Sequence, residues 1–259
     1  MKRLVVLAAL SVVLTGCGES GPNRAERRLA DKSELERLVS TEQKADALTA
    51  IRLLENDYRV EIVEGGELHS LYEKAKAIRL EAEKAEALEA TRSRLKAQLE
   101  TVNSISSAQP ESMDQIRRNL RAFESAAQTL ADAKDYPDAA VKADSQRLRS
   151  ALVQKQREVL PRMRAGFGKV MGREMWESDV EVIVQGSGNR TVRFIAGMFA
   201  ANRNIAAGQR AADEVASQLR FKRTQFEWYR GSEYTYYTLD TPDDGAVGTW
   251  RGSYFTAVP

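Results

Sequence analysis

The sequence has very few of the residues on which most enzyme and metal sites depend. Its 259 residues include one cysteine and one histidine, Cys17 and His69. A structural zinc site of the usual kind needs several Cys and His ligands, and a disulfide needs two thiols, so one chain can form neither. No nucleophile elbow, metalloprotease histidine pair or dinucleotide-binding glycine motif is present. We therefore expect no metal, no cofactor and no catalytic residues.

An excess of charge of either sign is also missing. The full sequence has 39 Lys and Arg against 37 Asp and Glu, a formal net charge of +2. Cleavage before Cys17 would remove Lys2 and Arg3 and no acidic residue, which leaves 37 basic against 37 acidic residues. Nucleic-acid-binding proteins usually carry a basic patch, so we expect no nucleic-acid partner.

Long apolar runs are absent, apart from one at the N-terminus. It extends from Leu4 to Leu14 and is well short of the roughly 20 residues that a membrane-spanning helix needs. It follows Met1-Lys2-Arg3 and ends in Leu14-Thr15-Gly16-Cys17. A basic start, a short apolar core and small residues before a cleavage point are typical of a secretory signal peptide.

The Leu14-Thr15-Gly16-Cys17 motif resembles the lipobox of bacterial lipoproteins. The resemblance implies that residues 1–16 are removed and that Cys17 becomes the mature N-terminus, carrying acyl chains such as palmitate. Residues 17–23 would then be the lipidated cysteine and a polar tether. In that family an Asp directly after the cysteine tends to retain the protein at the inner membrane, and here that residue is Gly18. The resemblance therefore implies a lipid anchor in the bacterial cell envelope, at the outer membrane and facing the periplasm.

Residues 24–165 are rich in Ala, Leu, Glu, Lys and Arg, which are strong helix formers. Four helices are predicted, over residues 24–57, 67–107, 110–134 and 137–165. In the second helix, apolar spacings of three and four from Leu68 to Val102 predict a coiled-coil seam with one slip at Leu88. We expect the apolar stripes to pack on one another as long antiparallel hairpins in a bundle. The alternative is a groove for another helix, which would permit an oligomer.

Two short stretches interrupt this helical pattern. Tyr58 to Glu64 alternates apolar and charged residues, and the pattern does not decide between an extended link and a strand. Gly166, Gly168 and Gly172 fall close together, so residues 166–175 are predicted to be a hinge into a second domain.

Residues 176–259 are predicted to form a small α+β head domain. Alternating apolar residues predict strands near 180–185 and 192–196, and again over 221–228 and 234–239. A helix is predicted over 202–219, and a final short strand over 249–257 is possible. This order predicts a ββαββ domain with an antiparallel sheet covered by one helix.

Aromatic residues make up only 7% of the chain, but they concentrate in one predicted hairpin. Strand alternation places Tyr234 and Tyr236 on one face and Tyr237 on the other. We expect one face to be core and the other to present rings to a protein or sugar partner; the alternative is cross-strand packing. The candidate partner-binding residues are Trp228, Tyr229, Arg230, Tyr234 and Tyr236. Arg223 or Arg230 would be near enough to reach a partner's carboxylates.

The acidic residues Asp240, Asp243 and Asp244 also cluster in this half. Paired carboxylates can hydrolyse glycosidic bonds, but Thr241-Pro242-Asp243-Asp244-Gly245 is typical of a turn. We therefore expect a non-catalytic, lipid-anchored envelope protein whose helical stalk presents the α+β head to an envelope protein or to peptidoglycan. The alternative is a cell-wall hydrolase or ligand-binding enzyme with its site on the C-terminal domain.

Overall fold

The computed structural model of the chain describes residues 24–175, 177, 179–200, 213–227 and 234–258, with backbone alone for 24–28 and Tyr234. Cys17 and its tether lie outside the described residues, as do the predicted signal peptide and the first part of the predicted helix 202–219. The described chain is an α+β protein with long helices followed by two small sheets. It divides into two compact units, residues 1–85 and 86–259. None of the described helices is long and apolar enough to cross a membrane.

The first unit is helical. It contains α1, Arg24–Ser40, and α2, Lys44–Asp57, together with the first turns of α3, His69–Ser104. Its core is a set of buried aliphatic side chains from all three helices and the segment before α3: Leu35, Leu38, Val39, Ala50, Ile51, Leu54, Leu68 and Ala75. The unit therefore buries its apolar stripes internally.

The predicted helix 24–57 is in fact two helices. Glu42 has a φ of 55°, a left-handed conformation that cannot continue the helix. Thr41 Oγ1 lies 2.8 Å from the Leu38 carbonyl and 2.8 Å from Asp46 Oδ2, which ties the end of α1 to the start of α2. The apolar pattern hid this break, because buried Val39 and Ala47 are eight positions apart, about two helical turns.

The segment Tyr58 to Glu64 forms turns and is not a strand. The Ile62 amide donates to the Tyr58 carbonyl at 3.2 Å, and the Leu68 amide donates to the Glu61 carbonyl at 3.0 Å. His69 Nδ1 lies 2.8 Å from the Ile62 carbonyl oxygen. The lone histidine therefore holds this link against the start of α3.

The predicted seam along α3 is buried at its two ends and not along its middle. Leu68, just before the helix, and Ala75 are buried in the first unit, and Leu95 and Val102 are buried in the second. Between them, over residues 81–90, almost every side chain is exposed. A continuous coiled-coil seam was therefore the wrong interpretation: the slip at Leu88 lies where one buried stripe has ended and the next begins.

The second unit begins as a bundle of the last turns of α3 with α4, Met113–Ala133, and α5, Ala139–Met175. Arg92 in α3 contacts Asp144 at 3.1 Å, and farther along Lys155 Nζ donates to the Ile105 carbonyl at 3.2 Å, so α3 and α5 run in the same direction. The Arg173 side chain donates to the Glu111 carbonyl at 2.7 Å, which places the end of α5 beside the start of α4. Helix α4 is therefore antiparallel to α5, and the predicted helical bundle is confirmed.

Helix α5 continues to Met175, so the predicted hinge at 166–175 is wrong. Two of its three glycines, Gly166 and Gly168, serve close packing instead. A Cβ on Gly166 would lie 2.8 Å from Pro110, and a Cβ on Gly168 would lie 2.5 Å from Val184 Cγ2. The bundle and the sheet therefore belong to one compact unit, and the division of the chain lies at residue 85 and not in α5.

The larger sheet has four strands in the order β1-β2-β3-β4: Val180–Gln185, Thr191–Ala196, Arg223–Glu227 and Tyr234–Thr238. The outer pairs are antiparallel as predicted, but the central pair β2–β3 is parallel. The connection over residues 197–222 returns the chain to the end of the sheet at which β2 began, so β3 starts beside Thr191. The predicted last strand is a separate antiparallel pair, β5 Gly248–Arg251 and β6 Tyr254–Ala257.

The sheet shares its core with the bundle. Phe167 of α5 meets Phe221 with ring centroids 5.6 Å apart, and Phe194 stacks on Phe226 at 5.1 Å. The described helical turn at 213–216 and the turn after it add Val215, Ala216 and Leu219 to this core. One face of the sheet is therefore committed to packing, which leaves the opposite face for other roles.

Candidate functional site

The register of strands β2, β3 and β4 places three rows of mostly polar side chains on the opposite face of the sheet. Residues that alternate with buried Val192, Phe194, Thr224 and Phe226 point away from the core. We name this surface the outer face; its residues are Thr191, Arg193, Ile195, Arg223, Gln225, Glu227, Tyr236 and Thr238.

Tyr236 is an exposed aromatic side chain of the outer face. It is 51% exposed, and it pairs across the strands with Gln225. The guanidinium carbon of Arg223 lies 4.1 Å from the centroid of its ring. A cation held over an aromatic face gains about 0.5–1 kcal/mol at an exposed site, so the ring and the guanidinium fix each other's orientation.

A second group on the outer face is internally neutralised. Arg193 donates to Glu227 Oε1 from Nε at 2.8 Å and also from Nη2. Gln225 Nε2 donates to the same carboxylate oxygen at 2.6 Å. Arg193 and Glu227 are only 26% and 21% exposed. The pair is therefore held in place on the outer face, in the strands beside Tyr236.

Tyr237 lies on the core side of β4, as the alternation predicts. Its hydroxyl donates to Asp213, and its ring stacks against Phe226 with centroids 6.3 Å apart. Burial, and then the hydrogen bond to Asp213, raise the pKa of the Tyr237 hydroxyl. Tyr237 is therefore part of the packing of the sheet and is not a candidate for binding.

The acidic turn at 243–244 is tied to buried arginines. Arg164, which is 0% exposed, donates from Nη1 and Nη2 to the two carboxylate oxygens of Asp244 at 2.9 and 2.8 Å. Arg190 Nη2 donates to Asp244 Oδ1 at 2.9 Å. Burial alone would raise the pKa of Asp244, but the hydrogen bonds and charges of Arg164, with the charges of Arg190 and Arg220, outweigh it and the pKa is lowered. This carboxylate is a counter-ion to a structural cluster.

Arg220 completes the same cluster. It is 2% exposed and donates to the main-chain carbonyls of Asp243 and, at 2.8 Å, Ala246. Burial lowers its pKa to about 10, against the opposing effect of Asp244. No sequence pattern marks these arginines, because a buried arginine on a helix looks like a surface arginine until its partner, 80 residues away for Arg164, is known.

The predicted site residues are only partly within the described chain. Trp228, Tyr229 and Arg230 lie outside it, and only the backbone of Tyr234 is described, paired with Glu227. Tyr236 is exposed on the outer face, and the ion pair of Arg193 and Glu227 on the same face was not predicted from the sequence. Among the described residues, no group of three or more His, Cys, Asp or Glu side chains could hold a metal ion.

Comparisons with protein-family models, with curated proteins and with solved structures gave no match to this chain.

Proposed function

We propose that this chain is a non-catalytic, lipid-anchored protein of the bacterial cell envelope that holds a partner on the outer face of its four-stranded sheet. The proposal combines two observations from different parts of the chain. The lipobox-like Leu14-Thr15-Gly16-Cys17 accounts for attachment to a membrane. The half-exposed Tyr236, with Arg223 stacked on its ring, accounts for recognition.

The observation that carries the binding proposal is the half-exposed Tyr236 ring with Arg223 held against it. Interface hot spots are enriched in Tyr, Trp and Arg, and this face presents a tyrosine and an arginine already in contact. Because a tyrosine has few rotatable bonds and this ring is already stacked, a partner that covers it loses little side-chain entropy. The neutralised Arg193–Glu227 pair beside it adds hydrogen-bonding groups without an unpaired charge.

The proposed cellular location rests on the N-terminal sequence. A signal peptide over residues 1–16 directs the chain out of the cytoplasm, and acylation of Cys17 anchors it. Gly18 after the lipidated cysteine favours the outer membrane, facing the periplasm, by resemblance to other lipoproteins. The partner would then be another envelope protein or the cell wall.

The experiment compares two exposed tyrosines. Tyr236→Ala removes the ring from the outer face, and Tyr254→Ala removes a 79% exposed ring from the separate β5–β6 sheet. The full chain carrying each substitution is expressed in cells, crosslinked and purified from membranes. We expect Tyr236→Ala to reduce the captured partner by about tenfold, corresponding to the 1–2 kcal/mol of a hot-spot side chain, and Tyr254→Ala to leave capture unchanged.

The same two variants can also refute the proposal. Equal capture by both variants would contradict binding at the outer face. Because Tyr236 is half exposed and its ring contact is with Arg223, the fold of the variant is checked independently by far-ultraviolet circular dichroism.

A further inference from the structure

Arg223 differs from the other charged residues of the outer face. Arg193 and Glu227 neutralise each other, whereas Arg223 has no acidic partner and no side-chain hydrogen bond among the described residues. Its Nε is shielded from solvent and has no hydrogen-bond partner in that part of the chain. The contact that positions its guanidinium is the Tyr236 ring at 4.1 Å.

A shielded N–H donor without an acceptor is unfavourable, and proteins rarely leave one unsatisfied. The guanidinium group presents planar, paired donors that match the two oxygens of a carboxylate. Stacking on Tyr236 already restricts the side chain of Arg223, so less entropy is lost when those donors bind an acceptor. The terminal Nη1 and Nη2 groups, unlike the shielded Nε, are open to solvent and have no acceptor among the described residues, so they can donate to a carboxylate from outside the chain.

We infer that Arg223 is the carboxylate-recognition residue of the outer face, and that it binds an Asp or Glu side chain, or a C-terminal carboxylate, of a protein partner. The inference rests on the proposed function, because it specifies the chemistry of the partner that covers Tyr236. Tyr236 then makes the hydrophobic contact with the partner, and Arg223 binds the partner's carboxylate.

The charge distribution favours a single carboxylate over a polyanion. Nucleic acids and anionic lipid surfaces are held by several cations at once. Here Arg193 is already paired with Glu227, Glu181 lies on the same side of the sheet in the neighbouring strand, and the chain without its first 16 residues is balanced at 37 against 37 charges. Among the described residues of the outer face, Arg223 is the one guanidinium without an acidic partner, and together with the adjacent aromatic ring it suits a single acidic group.

The test uses zero-length crosslinking of the full chain in membranes. Arg223→Lys keeps the positive charge and introduces an amine, which a carbodiimide joins to a carboxylate in direct contact. Arg251→Lys places the same amine at an exposed arginine of the other sheet and serves as the control. We expect a carbodiimide-dependent protein adduct with Arg223→Lys and none with Arg251→Lys, with peptide mass spectrometry locating the bond at an Asp, a Glu or a C-terminus of the partner.

A second, quantitative measurement removes the positive charge of Arg223. We expect Arg223→Gln to reduce the partner captured by the crosslinking assay at least tenfold, and Arg251→Gln to leave it unchanged. Capture that depends on Tyr236 but not on Arg223, with no adduct from Arg223→Lys, would overturn this inference and leave the proposed function intact. An adduct to a peptidoglycan stem peptide or to a lipid would also overturn it, because the partner would not be a protein. Capture that is indifferent to Tyr236 would instead contradict the proposed function.

Discussion

Replacing Asp244 by Asn should strongly destabilise the second unit, although the two side chains have almost the same shape. Asp244 is the carboxylate that faces the fully buried Arg164, and it also accepts a hydrogen bond from Arg190. The substitution removes the negative charge and turns an NH₂ group toward the donors of Arg164, whose remaining partners are the Gly188 and Leu219 carbonyls. Removing one member of a buried ion pair typically costs about 3–5 kcal/mol, because the other charge is left uncompensated.

The measurement is urea denaturation of the purified chain, followed by tryptophan fluorescence. All three tryptophans lie within residues 86–259, so their fluorescence reports on the unit that contains the cluster. With a denaturant slope of about 2 kcal/mol per molar urea, a loss of 3–5 kcal/mol lowers the midpoint by about 1.5–2.5 M.

Asp243→Asn is the matched control for this prediction. It makes the same chemical change one residue earlier, on a side chain that is 94% exposed and 3.8 Å from Arg190. We expect it to change stability by no more than about 0.5 kcal/mol. If Asp244→Asn cost less than about 1 kcal/mol, or no more than Asp243→Asn, the carbonyl partners alone would suffice for Arg164 and the reasoning would be refuted.

Three further predictions concern the anchor, helix α5 and pH. The mature N-terminal peptide should begin at Cys17 with acyl chains, each contributing about 0.8 kcal/mol per buried CH₂; a Cys17→Ser protein that still fractionates with membranes would contradict this. Gly168→Ala should destabilise the chain by about 1–3 kcal/mol, because its Cβ would lie 2.5 Å from Val184 Cγ2. Gly172→Ala, with no atom within 4 Å of its Cβ, should stabilise it by up to about 1 kcal/mol in the same urea assay, and equal effects would argue against the α5–β1 contact. The lowered pKa of Asp244 means that its stabilising effect is complete above about pH 4 and is lost as the pH falls through its folded value. The stability gap between the wild type and Asp244→Asn should therefore shrink as the pH falls below about 4, and a constant gap would contradict the assignment.

Local patterns predicted the class of fold well. The composition of residues 24–165 and their apolar spacing predicted long helices in a bundle, and alternation predicted the four strands near their observed positions. Alternation also predicted that Tyr236 and Tyr237 face opposite ways, which the structure confirms with an exposed and a half-buried ring. These features depend on neighbours within a few positions of each other, which is the range over which a sequence pattern is informative.

The errors arose where distant residues decide the structure. Three glycines near position 168 indicated a hinge, but Gly168 packs against Val184 in β1, a contact that no local pattern contains. The pairing of β2 with β3 depends on where the connection over residues 197–222 returns the chain. The structural role of Arg164 depends on Asp244, and the pairing of Arg193 with Glu227 joins two strands that are distant in the sequence. Each of these is a tertiary fact that overrides or lies beyond local propensity.

The central claim is that a partner covers the outer face, and site-specific photo-crosslinking in living cells tests it most directly. A photoreactive amino acid replaces Thr238, which is exposed on the outer face, or Thr256, which is exposed on β6. Binding at the outer face predicts a discrete crosslinked species from position 238 that disappears in the Tyr236→Ala background, and no such species from position 256. Crosslinks that are absent at position 238, or that are equal at the two positions, would contradict the claim.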